Sequence, residues 1–112
     1  MLGSAQADEG QPADWAALGL QGKTLELVDR ARVEAYRFGD EGVVTATIGQ
    51  RQGPLAGPVF YWRIDGAALI ISQERGKQAF VALEEPRVRG DLVSVKRKAG
   101  GRIEHRQYRL FK

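Results

Sequence analysis

The sequence predicts an all-β fold, a small eight-stranded antiparallel up-and-down barrel, and three features of the chain carry that expectation. Asp65-Gly66 separates two runs rich in β-branched and aromatic residues, Val59-Phe60-Tyr61-Trp62-Arg63-Ile64 and Ala67-Ala68-Leu69-Ile70-Ile71-Ser72. Asp-Gly between such runs is the strongest short-range hairpin signal. Apolar and polar residues alternate at period two through most of the chain after Lys23, the signature of half-buried strands. No segment is a helix long enough for a parallel crossover, so the strands run as a meander. Eight antiparallel strands dispose of their edges most simply by closing on themselves, with a two-sheet sandwich as the alternative.

Residues 1–13 are small, polar and acidic and read as a flexible N-terminal arm; residues 14–112 form a single barrel domain. Asp14-Trp15-Ala16-Ala17-Leu18-Gly19 reads as one turn of helix, with Asp14 as N-cap and Gly19 at the stop. One turn does not stand alone, so Trp15 and Leu18 are expected to dock on the core. Strands are expected over residues 23–28, 32–38 and 43–49, with residues 50–57 the longest connection inside the domain. An Asp65-Gly66 type I′ turn sets Ile64 opposite Ala67, Trp62 opposite Leu69 and Phe60 opposite Ile71, an apolar face. The opposite face, with Tyr61 and Arg63, is mixed. A strand over 77–83 is expected to break at Pro86, with Gly90 marking a bulge or bend. Strands over 92–98 and 102–111, joined at Ala99-Gly100-Gly101, complete the set.

Composition sets bounds. At 112 residues, 43% hydrophobic and 28% charged, the chain is an ordinary globular domain. It has no cysteine, which removes disulfides and thiol chemistry. No apolar run approaches the roughly 18 residues of a membrane span. The net charge of +3 is uneven: residues 1–85 hold 8 Lys and Arg against 12 Asp and Glu, whereas residues 86–112 hold 9 against 2. That asymmetry points to an anionic partner at the C-terminal end or to a solvated face. Ala5-Gln6-Ala7 followed by Asp8-Glu9 has the small-x-small form of a signal-peptidase site and suggests a periplasmic or secreted protein, with a cytoplasmic one as the alternative.

Leu20-Gln21-Gly22-Lys23, then Tyr36-Arg37-Phe38-Gly39-Asp40-Glu41-Gly42, then Trp62-Arg63-Ile64-Asp65-Gly66-Ala67-Ala68-Leu69 follow one another in an order that resembles calycin-type barrels, in particular small bacterial lipocalin-like domains. Lipocalins proper place a tryptophan two residues after the opening glycine, where this chain has Thr24. The resemblance implies a barrel with a core or cup at one end, closed at the other by the N-terminal turn.

Catalytic chemistry finds little to work with, and the expectation is a non-enzymatic protein with no cofactor or metal. His105 is the single histidine, and Ser4, Ser72 and Ser94 lie in no nucleophile-elbow sequence. Asp40-Glu41 and Glu84-Glu85 are adjacent pairs, whose members point to opposite faces of a strand. Gly22-Lys23-Thr24 lacks the first glycine and the helix of a phosphate loop. Two sets remain as ligand contacts. Tyr61, Trp62 and Arg63 sit on the central hairpin; His105, Gln107 and Arg109 share one face of the last strand and would line a pocket for a polar or anionic ligand.

The functional expectation is therefore a binding protein that holds a small amphipathic or anionic ligand at the barrel mouth. The alternative is a protein-interaction or inhibitor module acting through the N-terminal arm or the 50–57 loop. A third reading is an anionic-polymer binder using the basic 86–112 face, while the aromatic-basic set Tyr61, Arg63 and Tyr108 ranks nucleic acid last.

Overall fold

In the computed structural model, which describes residues 10–112, the period-two segments are strands whose alternate side chains turn inward. The wall consists of β1 (Thr24–Leu27), β2 (Arg32–Phe38), β3 (Val43–Gln50), β4 (Val59–Asp65), β5 (Ala68–Ser72), β6 (Ala79–Arg89), β7 (Leu92–Ala99) and β8 (Arg102–Phe111). Each strand pairs antiparallel with the next, and β8 returns to pair with β1 through Tyr108 opposite Leu27 and Leu110 opposite Leu25. The sheet is thus a closed up-and-down barrel of eight strands, as expected. Two short pieces are added outside it: Leu55–Ala56 pairs with β3, and Gln11–Pro12 pairs with β6. The last residues of the expected arm are accordingly part of the sheet, while Ala5-Gln6-Ala7 lies outside the described residues.

The central hairpin forms with a register two residues from the expected one. Ile64 faces Leu69, Trp62 faces Ile71, and Asp65 closes the pair with Ala68. The loop is therefore Gly66-Ala67 rather than Asp65-Gly66. Gly66 alone has a left-handed φ of 61°, and Ala67 is not among the positive-φ residues, which is the pattern of a type II′ turn with glycine first. A shift of two keeps every side chain on its predicted face, so Phe60, Leu69 and Ile71 are buried as anticipated.

The run that includes Pro86 also differs. β6 passes through Pro86 because the ladder to β7 is interrupted between Glu84 and Arg87. Glu85 takes a left-handed φ of 53° there. The missing N–H of proline falls in the bulge, where no ladder bond needs it, and the Pro86 carbonyl accepts from Ala13 N at 2.9 Å. Gly90-Asp91 is the turn of the next hairpin, with Arg89 opposite Leu92.

Successive connections of a meander lie at alternate ends. One end holds the 39–42, 66–67 and 90–91 connections and is closed by the N-terminal turn Trp15–Leu18. Asp14 caps that turn through Oδ1 to Ala16 N at 3.2 Å, and Gly19 ends it in the left-handed region. Trp15 is 1% exposed and donates Nε1–H to the Leu83 carbonyl at 3.0 Å. Lys23 Nζ donates to the Leu18 carbonyl at 2.9 Å and ties the turn to the start of β1. Between the ends, Leu25, Leu27, Tyr36, Phe38, Val44, Phe60, Leu83, Val93 and Tyr108 fill the interior, as side chains do in a barrel of this size. The other end, bounded by the 28–31, 51–58, 73–78 and 100–101 connections, is the mouth.

Candidate functional site

At the mouth the filling changes from apolar to ionic. Glu34 has the same inward parity on β2 as Tyr36 and Phe38 and is 4% exposed. Its Oε2 accepts three hydrogen bonds: from Tyr36 OH at 2.5 Å, from Tyr108 OH at 2.9 Å and from Arg97 Nε at 3.1 Å. Tyr108 reaches it from β8 and Arg97 from β7, so strands distant in sequence meet on one oxygen. The network continues outward. Arg97 Nη1 lies 4.0 Å from Glu104 Oε1, and Arg106 Nη2 approaches the same oxygen at 2.8 Å.

Electrostatics fix the protonation of the donors. Burial, and then the adjacent Glu34 carboxylate, push both the Tyr36 and the Tyr108 phenol well above the usual tyrosine range. Both remain donors at neutral pH. Burial alone would lower the Arg97 pKa, but the Glu34 carboxylate and the surrounding hydrogen bonds outweigh it and raise it. Glu34 Oε1, by contrast, is buried with no hydrogen-bond partner among the described residues. A buried acceptor left unmade costs about 1–3 kcal/mol.

Glu34 also lines a hollow of about 280 Å³ with Arg32, Val33, Tyr36, Ile48, Gly49, Gln50, Phe80 and Arg97. Two backbone devices shape it. Ile71 faces Val81 while Ser72 faces Ala79, which leaves Phe80 as the extra residue of a bulge. A bulge re-aims its side chain, and the Phe80 ring comes to lie 5.0 Å from that of Phe60 while staying 39% exposed. Gly49, at φ 154°, lets the Pro54-Leu55 backbone pack against β3 where a Cβ would collide with the Pro54 carbonyl. The hollow thus has apolar walls and an ionic floor. Two hollows of about 610 Å³ also occur: one, beside Phe80, is lined by Ala79, Ala82, Ala99 and the 100–101 glycines with Gln73, Gln78 and Lys98, and the other mainly by polar side chains such as Glu85 and Lys96. Among the described residues, the smaller one sets apolar walls beside a buried carboxylate with an unbonded oxygen.

The six expected contact residues are dispersed. Trp62 faces inward toward the closed end, edge-on to Phe38 at 5.2 Å, with Nε1–H donated to the Gly39 carbonyl at 3.3 Å. Tyr61 faces outward under the Arg75 guanidinium, 4.6 Å from the ring centre. Arg63 is half-buried and lies opposite Ile70. His105, Gln107 and Arg109 take the outer face of β8, where His105 and Arg109 are exposed. His105 and Gln107 border an outer hollow, and Arg109 Nε pairs with Asp91 Oδ2 at 3.2 Å. The inward face of β8 is the other one, with Glu104, Arg106, Tyr108 and Leu110. Tyr108 and Leu110 have to bury more apolar surface than His105 and Gln107 could.

The basic C-terminal stretch finds acidic partners across the sheet. Lys96 meets Glu85 at 3.1 Å, Lys98 meets Glu84 at 3.1 Å, and Arg97 meets Glu34. The connections themselves differ in charge: 39–42 and 90–91 carry Asp40, Glu41 and Asp91, whereas 28–31, 51–58 and 73–78 carry Arg30, Arg51, Arg75 and Lys77 against Asp29 and Glu74. Arg75 reaches across to the first group and donates Nη1–H to the Glu41 carbonyl at 2.6 Å. Asp29 Oδ1 accepts from Ala31 N and Arg32 N, both at 2.8 Å, which shapes the first mouth turn and holds its carboxyl below the usual range. The mouth end also bears Val28, Leu55, Val59, Phe80 and Ile103, five of the six exposed large hydrophobics among the described residues.

Among the described residues, no group of three or more His, Cys, Asp or Glu is placed to hold a metal ion, and no helix is long and apolar enough to cross a membrane. Compared with protein-family models, with curated proteins and with solved structures, the chain matches none. The closed eight-stranded barrel is compatible with the calycin architecture, and that architecture by itself carries no function.

Proposed function

We propose that this barrel is a non-enzymatic binding protein, lipocalin-like in its use of an open mouth, which holds a small amphipathic ligand against the Glu34–Arg97 pair. The observation that carries the reading is the hollow at Ile48, Phe80 and Glu34, in which apolar walls meet a buried ionic floor. Ligand sites are typically concave and mostly apolar, with a few placed polar groups. At about 280 Å³ the hollow suits a short chain or a single side chain. The exposed apolar residues around the mouth give such a molecule a graded path out of water.

Isothermal calorimetry with eight-carbon amphiphiles tests this. Wild-type protein is expected to bind members of that set, and Ile48→Trp, which fills the hollow, is expected to abolish binding without unfolding the barrel. Unchanged binding in Ile48→Trp, or lost binding in His105→Ala, would move the site elsewhere. Export is proposed on Ala5-Gln6-Ala7 alone, and an intact mass that begins at Asp8 for protein taken from its source would support it.

The second reading, a protein-interaction module, draws on the 51–57 loop, which is exposed along its whole length and presents Leu55 at 55% exposure. On that reading the hollow receives a partner's side chain, and deletion of residues 1–9 would test the contribution of the arm.

A further inference from the structure

We infer that the ligand's polar end is a neutral hydrogen-bond donor, a hydroxyl or a primary amide, seated on Glu34 Oε1. The inference rests on the reading of the mouth as a ligand site and adds the head-group class. Three donors already converge on Oε2, from Tyr36, Tyr108 and Arg97. The second oxygen of the same carboxylate is buried and has no partner among the described residues. Glu34 lines the hollow, and the fully buried polar atom left without a partner beside it is thus an acceptor, which calls for an N–H or O–H. A carboxylate or phosphate head would bring a second acceptor against it.

Charge selects further. Arg97 already balances Glu34 at 3.1 Å, and the next carboxylate outward, Glu104, is met by Arg106 at 2.8 Å. An ammonium head would therefore add an uncompensated cation to a paired floor beneath a rim that carries Arg30, Arg32 and Arg51. A neutral donor completes the carboxylate without disturbing that balance. Sites that hydrogen-bond a ligand group discriminate strongly against an analogue without it, because the buried partner is then left unpaired.

The same geometry dictates what one substitution does. In Glu34→Gln the carboxamide has to turn its carbonyl toward the three donors, which leaves its N–H₂ toward the hollow. The site's open acceptor becomes an open donor, and its preference reverses.

The test is calorimetric titration of wild type and Glu34→Gln with octanamide, 1-octanol, octylamine and octanoate at constant ionic strength. In wild type, octanamide and octanol are expected to bind at least about tenfold tighter than octanoate and octylamine, roughly 1.4 kcal/mol. In Glu34→Gln the amide is expected to weaken about tenfold and octanoate to gain. Octanoate or octylamine as the tightest wild-type ligand, or a ranking untouched by Glu34→Gln, would overturn the inference. The wild-type ranking decides by itself should the variant fold poorly. Equal binding of all four heads overturns the head-group assignment alone, whereas no binding of any overturns the ligand site with it.

Discussion

Glu34 is the residue on which the mouth depends, and its chemistry separates what stabilises from what recognises. Removing one partner of a buried ionic cluster leaves the others uncompensated, so Glu34→Ala is expected to cost about 3–5 kcal/mol in urea unfolding. Replacing both charges, Glu34→Leu with Arg97→Met, removes the ion pair but leaves the buried Tyr36 and Tyr108 hydroxyls without their acceptor, and is expected to cost about 1–3 kcal/mol for each orphaned hydroxyl. Adding Tyr36→Phe and Tyr108→Phe is expected to bring stability back to within about 1 kcal/mol of wild type, and that fourfold variant should keep the barrel and lose the head-group preference. The phenols add a pH signature. Tyr36 and Tyr108 have pKa values raised in the folded state, by burial first and by Glu34 second. The folded protein therefore keeps protons that the unfolded chain releases above a pH of about 10, and stability is full below that value and falls as pH rises beyond it. Urea melts from pH 8 to 11.5 should show this alkaline loss, and Tyr36→Phe with Tyr108→Phe should flatten it. The cluster was partly legible in the sequence. A carboxylate at the inward position beside Tyr36 and Phe38 is a charge on a core-facing stripe, as Arg97 is beside Val93 and Val95. Which charges meet was not legible, because β2, β7 and β8 are joined by barrel closure and by no local rule.

At the scale of elements, the two devices that differ from expectation are a turn and a bulge. Asp-Gly signals a hairpin, but the dipeptide does not say whether it forms the loop or straddles the last pair. Here Asp65 pairs with Ala68, and Gly66 supplies the single left-handed position. A Cβ on Gly66 would meet nothing within 4 Å, so the cost of Gly66→Ala is conformational alone. It is expected at about 1–2 kcal/mol by thermal or urea unfolding. The bulge at Glu85 lets β6 run through Pro86, and the one at Phe80 turns a ring over the mouth. Neither could be read from alternation, since a bulge breaks the alternation that defines a strand. The N-terminal turn, by contrast, was fully legible from its capping aspartate, its stop glycine and two apolar residues between them. Asp14→Ala is expected to cost about 1 kcal/mol and Trp15→Ala about 3–5 kcal/mol, the latter through the emptied core and the unpaired Leu83 carbonyl.

For the molecule as a whole, closure decides which charges are seen from outside. Read along the chain, the positive charge gathers after residue 86. Folded, much of it is met by Glu34, Glu84, Glu85, Asp91 and Glu104. The same closure explains why the outer-face set His105, Gln107 and Arg109 looked as suitable as the inner one. Parity separates the two faces of a strand, but only the closed wall shows which of them is inside. The most direct test of the open-mouth account is a ¹H–¹⁵N NMR titration of the wild-type chain with octanamide. Shifts are expected to concentrate at residues 32–34, 48–50, 80 and 97, with the 39–42, 66–67 and 90–91 turns unmoved. Shifts centred on those closed-end turns, or on the outer face of β8 around His105, would contradict it.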